Sequence, residues 1–379
     1  MRSLDAARDA VERYHPGLLK ALADIPYARR EAPGSPVLDL FRAHGGVGLL
    51  VPKEYDGHGA GLVEAVQVQR GLGSLSPSLA AAVTMHHFTV AMLYALAAES
   101  GRLTPAQLEL LSSVVPEQRL LASGWAEGRT QQNILTPSVT AEPVPGGFRL
   151  NGVKKPCSLS GSMSVLTASI AVPGRDGRPE LALALVPATT PGLSVHPFWG
   201  SDVLAAAQSD EVRLENVEVP EELVVRTTAE DPHRLDDLQT AGFIWFELLV
   251  SAGYAGAAAG LTEQLLASGR GSPQERAQVV VQTEAAFELL AGAARAIRDG
   301  LEGEGAVAAV LVARFAAQTN LARATDQALE LLGGIDFIRN PDHARLAASV
   351  RPLAFHPPSR AGSAAALVQY VDGGPLELS

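Results

Sequence analysis

Phe41-Arg42-Ala43-His44-Gly45-Gly46-Val47-Gly48-Leu49-Leu50-Val51-Pro52-Lys53-Glu54-Tyr55-Asp56-Gly57-His58-Gly59 interrupts a run of helical patterns near the start of the chain. Five glycines and a proline punctuate it, as they do where a chain turns between helices. Apolar residues recur at three- and four-residue spacing on both sides. The spacing predicts helices over Ala6 to Tyr14 and Pro36 to His44 before it. After it come Leu62 to Leu72, Ala80 to Glu99 and Pro105 to Val115. Thr104-Pro105 is a strong helix start, with threonine as cap and proline in the first helical position.

From about residue 119 the texture changes to short alternating or β-branched runs: Ser138 to Val144, Phe148 to Asn151, Leu166 to Val172, Leu181 to Val186, Leu193 to Pro197 and Glu211 to Val219. Pro145-Gly146-Gly147 and Gly174-Arg175-Asp176-Gly177 are turn signals between them. This reads as a compact antiparallel β-domain of sandwich or barrel type. A break at Ala229-Glu230-Asp231-Pro232 precedes a return to helices over Leu235 to Ala267, Gln274 to Glu302, Ala306 to Leu332 and Ala364 to Tyr370. Gly333-Gly334 ends the third, as glycine does at a helix C-terminus. The expectation is an α+β chain of three parts: 1–118 helical, 119–228 β and 229–379 a helical bundle.

Lys and Arg total 30 against 41 Asp and Glu, a net charge of −11. That balance argues against a nucleic-acid partner, which needs a concentrated basic surface. A hydrophobic share of 47% with only 5% aromatics points to Ala, Leu and Val cores and closely set helices. Cys157 is the single cysteine, so no internal disulfide or thiolate cluster can form, and it reads as a small buried hydrophobe. The nine histidines show no metal-ligand spacing, so no metal is assigned. The charged, amphipathic N-terminus lacks the apolar core of a signal peptide. The apolar stretch from Phe243 to Leu266 is broken by Glu247, Thr262, Glu263 and Gln264, and reads as a buried helix rather than a membrane span. A cytoplasmic protein is expected.

The α, β, α order resembles the acyl-CoA dehydrogenase superfamily. The stretch from Phe41 to Gly59 is similar to that family's L-x-x-x-G-x-x-G-x-x-x-P-x-E-x-G-G-x-G. Ala126-Glu127-Gly128-Arg129-Thr130-Gln131-Gln132-Asn133 stands where the family has T-E-P-x-A-G-S-D, with only Glu127 matching outright. Asn151-Gly152-Val153-Lys154-Lys155-Pro156-Cys157-Ser158 is similar to N-G-x-K-x-W-I-T/S. Glu330-Leu331-Leu332-Gly333-Gly334-Ile335-Asp336-Phe337 is similar to Q-x-x-G-G-x-G-F. The resemblance implies a homo-oligomer, dimer or tetramer, that holds FAD between β-domain and bundle. It also implies oxidation of an acyl thioester carried on coenzyme A or a carrier protein, with the electron acceptor left open.

Dehydrogenation between Cα and Cβ needs a carboxylate base, a polarised thioester oxygen and a flavin placed to take the hydride. The family's usual base, in a C-terminal E-G-T/S motif, is replaced here by Ala361 in Arg360-Ala361-Gly362-Ser363. The isovaleryl-CoA dehydrogenase branch instead carries its glutamate on the first bundle helix, where this chain has Glu247. Phe243, Ile244, Trp245, Phe246, Leu248 and Leu249 surround it in sequence, a setting that raises a carboxylate pKa. The plainer reading is a helix glutamate that faces water or pairs with an arginine.

The resemblance further places Trp125 and Ala126 by the flavin pyrimidine edge and Ser158 by its N5 and O4. Ser160 and Gly161 follow, where small residues permit close approach. Gly333 and Gly334 fall on the diphosphate side, Gly362 and Ser363 by the adenosine half. Arg270 stands in a shortened version of the R-x-x-F-G segment, where a solvated loop arginine is the alternative. His356 sits near where the missing glutamate would project. In flavin monooxygenases of this fold a histidine stands close to the flavin C4a, so a monooxygenase or oxidase using reduced flavin and oxygen is the second reading. A catalytically silent structural partner is the third.

Overall fold

The computed structural model describes all residues except 100, 129–135, 175–178, 227–236 and 379, with only the backbone described at 237–239. The N-terminal part forms α1 (Arg2–Tyr14), α2 (Leu18–Ala23), α3 (Tyr27–Arg30), α4 (Val37–Ala43), α5 (Leu62–Leu75), α6 (Pro77–Ala97) and α7 (Pro105–Ser112). Thr104 closes the expected cap on α7. Its hydroxyl accepts from the Gln107 N–H, and the Gln107 side chain returns the bond to the Thr104 N–H.

The strands are β1 (Leu121–Gly124), β2 (Thr140–Val144), β3 (Gly147–Cys157), β4 (Val165–Pro173), β5 (Pro179–Pro187), β6 (Leu193–His196), β7 (Asp210–Pro220) and β8 (Val224–Arg226). They form one sheet in the order β6-β7-β3-β2-β4-β5-β8, with β1 also on β4. The expectation of an antiparallel domain is corrected at β4, which pairs in parallel with β1 and at one position with β2. β4 is buried over most of its length, so it reads as a nearly continuous apolar run rather than an alternating one. Register is set across β3 and β7, where Arg149 faces Glu218 and their side chains meet at 3.0 Å. β1 and β8 escape sequence detection because they are short and lack alternation.

The C-terminal part holds α8 (Asp237–Ser268), α9 (Pro273–Arg298), α10 (Gly303–Leu332), α11 (Gly334–Arg339), α12 (Pro341–Ala348) and α13 (Arg360–Val371). The turn at Gly174 to Gly177 and the break at Ala229 to Pro232 lie largely or wholly outside the described residues. α8 is the centre of the molecule, packed by α5, α6, α9 and α10, while α13 rests against α10. Small residues allow this. A Cβ on Gly73 would lie 2.0 Å from the Gly253 carbonyl oxygen, and one on Gly256 would lie 2.1 Å from that of Arg70. α6, most of α8 and α10 are long and apolar enough to cross a membrane, yet those windows are 83%, 89% and 56% buried within the fold. Glu247, Thr262, Glu263 and Gln264 therefore do not make α8 too polar by composition; its burial is what distinguishes it from a span.

Candidate active site

Two strand ends converge on one edge of the sheet. β1 delivers Trp125 and Ala126, and β3 delivers Ser158. The Lys155 N–H donates to the Ala126 carbonyl at 2.8 Å, and the Cys157 thiol lies 3.6 Å from the Ser123 carbonyl oxygen. Burial pushes the Cys157 thiol up to about 12, so it stays protonated as a core residue. Beneath them Glu127 takes Lys154 Nζ at 2.8 Å and the Ser138 N–H at 2.9 Å, an almost fully buried pair that locks the turn after β1. Ser158 Oγ meets Ser209 Oγ at 2.9 Å, and Ser160 Oγ donates to the Gln208 carbonyl at 2.7 Å. The structure thus brings Trp125, Ala126, Ser158 and Ser160 together. Trp125 Nε1 and Gln208 Oε1 are buried without hydrogen-bond partners, a donor and an acceptor at this edge.

α6 ties the start of β1 to the helical domain. The Leu121 N–H donates to His86 Nδ1 at 3.2 Å, and Nε2 lies 2.9 Å from the Val47 carbonyl. Nδ1 therefore accepts and Nε2 carries the proton, and burial lowers this imidazole to about 4.

A second cluster is built on α8. Phe246 and Tyr254 reach His356 directly, and Glu247 reaches its segment through Arg314. The Phe246 ring meets the His356 imidazole edge-on with centroids 5.6 Å apart, and Tyr254 stacks on it at 5.8 Å. Tyr254 Oη and His356 Nε2 are 2.8 Å apart. Phe88 of α6 extends the aromatic wall, 5.5 Å from Phe246. Burial, reinforced by the Arg314 charge, lowers the His356 imidazole to about 3, so it is neutral at ordinary pH.

Glu247 occurs in the arginine-paired form of its expected alternatives. Its side chain has no exposure, and its carboxylate lies 3.0 and 3.3 Å from Arg314 Nε and Nη1. Burial pushes this carboxyl up to about 7 while the guanidinium pulls it back. Arg314 then donates to the carbonyls of Pro358 (2.8 Å), Leu353 (3.1 Å) and His356 (2.6 Å). Sequence reading misses Arg314 and Tyr254. The available signal is one arginine inside the apolar run Leu311-Val312-Ala313-Arg314-Phe315, where an unpaired cation would not be tolerated.

The remaining expected positions split into two groups. Gly333 ends α10 at φ 80, and a Cβ there would lie 3.9 Å from Arg270 Nη1, so these two are neighbours with Gly334 following. Gly362 and Ser363 open α13, where the Gly362 N–H donates to Ser359 Oγ at 3.0 Å and Ser363 Oγ to the Ser359 carbonyl at 3.1 Å. The adjoining Arg360 donates to the Phe315 carbonyl at 2.6 Å, eighteen residues before Gly333 on α10. That helical length separates the two groups by roughly 25 Å at 1.5 Å per residue. One chain does not bring them together.

A family model described as acyl-CoA dehydrogenase, N-terminal domain, matches residues 3–102. Across 378 residues, 100% of both chains, the sequence is 60% identical to isobutylamine N-hydroxylase of Streptomyces viridifaciens. This chain belongs to the acyl-CoA dehydrogenase-like flavoprotein superfamily and is an oxidoreductase. KijD3, crystallised with FMN and dTDP-3-amino-2,3,6-trideoxy-4-keto-3-methyl-D-glucose, shares the fold with a TM-score of 0.84. The identity there is 20%, over 97% of this chain and 94% of that one. A nitrososynthase from Micromonospora carbonacea var. africana aligns with a TM-score of 0.80 and 19% identity, over 98% and 96% of the two chains.

Proposed function

We propose that this protein is a flavin-dependent monooxygenase that N-hydroxylates a small aliphatic primary amine. The balanced reaction is amine, dioxygen and reduced flavin to hydroxylamine, water and oxidised flavin. The observation that carries the reading is 60% identity over the whole chain to an isobutylamine N-hydroxylase. The site supports it. Dehydrogenation asks for an open carboxylate base, whereas Glu247 is buried against Arg314. Beside it Phe246 and Tyr254 pack on a neutral histidine and Phe88 extends the aromatic surface, apolar surroundings suited to an uncharged alkyl chain.

Reduced flavin, when bound, supplies the electrons that activate dioxygen. Its fit rests on the strand edge, where Trp125 Nε1 and Gln208 Oε1 offer a buried donor and acceptor beside Ser158 and Ser160. The chain's other work is to bind the amine as free base, because only the lone pair is nucleophilic. Buried, apolar surroundings disfavour an ammonium, and the aromatic wall would keep water from the reacting centre. The separation of Gly333 and Arg270 from Gly362 and Ser363 supports a homo-oligomer in which two chains complete one cofactor site. The flavin is proposed to be FAD, whose diphosphate and adenosine parts would call on the two groups; FMN has no adenosine part to place at the second.

The test is to supply reduced FAD or reduced FMN under air with isobutylamine and to measure the hydroxylamine by mass spectrometry. Hydroxylamine formed above the no-protein control supports the reading. Absence of hydroxylamine from any short alkylamine, together with anaerobic bleaching of bound flavin by an acyl thioester, would overturn it.

A further inference from the structure

We infer that Glu247 and Arg314 are positioning residues: a buried charge pair that clamps the 353–358 segment and so holds His356 in place against the aromatic wall. The inference deepens the proposed function and depends on it only for the activity measurement below.

Beyond the short turn Arg351–Phe355 the segment has little regular bonding of its own. Pro352, Pro357 and Pro358 have no N–H to give, and the turn Arg351–Phe355 ends at His356 in extended backbone. Three of its carbonyl oxygens instead point at one guanidinium. Arg314 Nη2 serves Leu353 and His356, while Nη1 serves Pro358 and one Glu247 oxygen. A guanidinium is suited to this because its donors are fixed in one plane and it stays charged. Arg314 is fully buried, so its charge is tolerable only with an anion beside it, and Glu247 is that anion.

Glu247 and Tyr254 stand seven residues apart, two turns along the same face of α8. One helix face therefore grips the segment twice, through Arg314 at the His356 backbone and through the Tyr254 hydroxyl at the ring. Because α8 is itself wedged against α5 and α6, the grip is referred to the rigid centre of the molecule. A carboxylate with this duty is committed electrostatically. Moving a proton onto it during turnover would release the arginine and with it the segment.

The decisive variants are Arg314→Lys, which keeps the charge and loses the planar fork, and the pair Glu247→Leu with Arg314→Met. The pair replaces both charges by apolar groups, so it leaves no lone buried ion to prevent folding. Amide hydrogen exchange by mass spectrometry on the full protein reads the 351–359 segment without reference to activity. Exchange there should quicken by about tenfold or more in both variants, with α8 unchanged. In turnover with isobutylamine, hydroxylamine formed per reduced flavin consumed should fall by about tenfold, hydrogen peroxide making up the difference. His356→Ala should show the same uncoupling, and Arg314→Lys added to it should worsen nothing, since both act through one group.

Unchanged exchange in both variants would overturn the inference. So would Arg314→Lys and His356→Ala losses that multiply, or a Glu247→Gln enzyme that stops turning over with segment exchange at the wild-type rate. Should the wild-type protein hydroxylate no amine, the proposed function falls, while the exchange measurement still decides the clamp.

Discussion

Tyr254 Oη and His356 Nε2 lie 2.8 Å apart across 102 residues of sequence, with the two rings stacked at an interplanar angle of 26°. The hydroxyl satisfies a ring nitrogen that burial keeps neutral. Tyr254→Phe keeps the stack and removes the bond. It should cost about 1–2 kcal/mol of stability, the usual cost of leaving one buried polar atom unpaired. Urea unfolding of the variant checks this, and a change below about 0.3 kcal/mol would mean the contact is not a hydrogen bond.

Acid should unfold the protein through its buried histidines. His15, His86 and His87 are fully buried, and burial lowers His15 and His86 to about 4 and His87 well below its ordinary value. Both ring nitrogens of His15 and of His87 lack partners, so protonation there gains nothing in the folded state. The unfolded chain binds these protons near pH 6.5, whereas in the folded chain His15 and His86 bind theirs near 4 and His87 is held well below its ordinary value. Their contribution is therefore complete above pH 6.5 and lost as pH falls towards 4. Thermal midpoints taken from pH 7.5 to 4.5 should drop, and His87→Phe should flatten that drop.

The contact of α5 with α8 leaves no space for a methyl group. Gly256→Ala would set its Cβ about 2.1 Å from the Arg70 carbonyl oxygen, backbone that cannot swing aside. The expected loss is on the order of 3 kcal/mol, at the upper end for overfilled cores. Gly292→Ala, on a helix face where nothing lies within 4 Å, is the control and should be neutral or slightly stabilising.

Lys154 and Glu127 form the buried pair under the Trp125–Ala126 turn. Lys154→Met removes the buried cation 2.8 Å from Glu127 and should cost roughly 3–5 kcal/mol. Adding Glu127→Gln should recover part of that loss. Differential scanning calorimetry of the single and double variants reads both effects, and flavin titration should weaken in parallel if the turn forms the cofactor edge.

Ile335, Phe337 and Ile338 on α11 and Val368 and Val371 on α13 are each more than half exposed. The two groups lie at opposite ends of α10, with α11 following Gly333 and Tyr370 of α13 beside Gly305, and exposed apolar side chains of this kind suit contact with a second copy of the chain. Sedimentation at micromolar concentration should show a dimer or tetramer, and Ile338→Asp should shift it towards monomer. A monomeric wild-type protein would remove the oligomer proposal and the shared cofactor site with it.

Much of the candidate site is legible in the sequence. Family resemblance places Ser158 and Trp125, and the fold gathers them at one sheet edge. Glu247 stands out because its apolar setting is abnormal for a carboxylate, and that abnormality is real. Its partner is not legible, because Arg314 follows 67 positions later on another helix and no local pattern links them. β1 is missed for a related reason. Leu121 to Gly124 has no alternation to read, since both of its faces are covered.

The sequence by itself determined the order of the longer helices and strands, the cap at Thr104 and the glycine end at Gly333. These follow from periodicity and backbone chemistry that operate within a few residues. It also determined that a carboxylate would lie in the apolar first helix of the bundle. Only the tertiary structure decided what that carboxylate meets. A charge taken out of water must find a counter-charge wherever the fold brings one, and here the fold brings Arg314, which then gathers the carbonyls of the His356 segment.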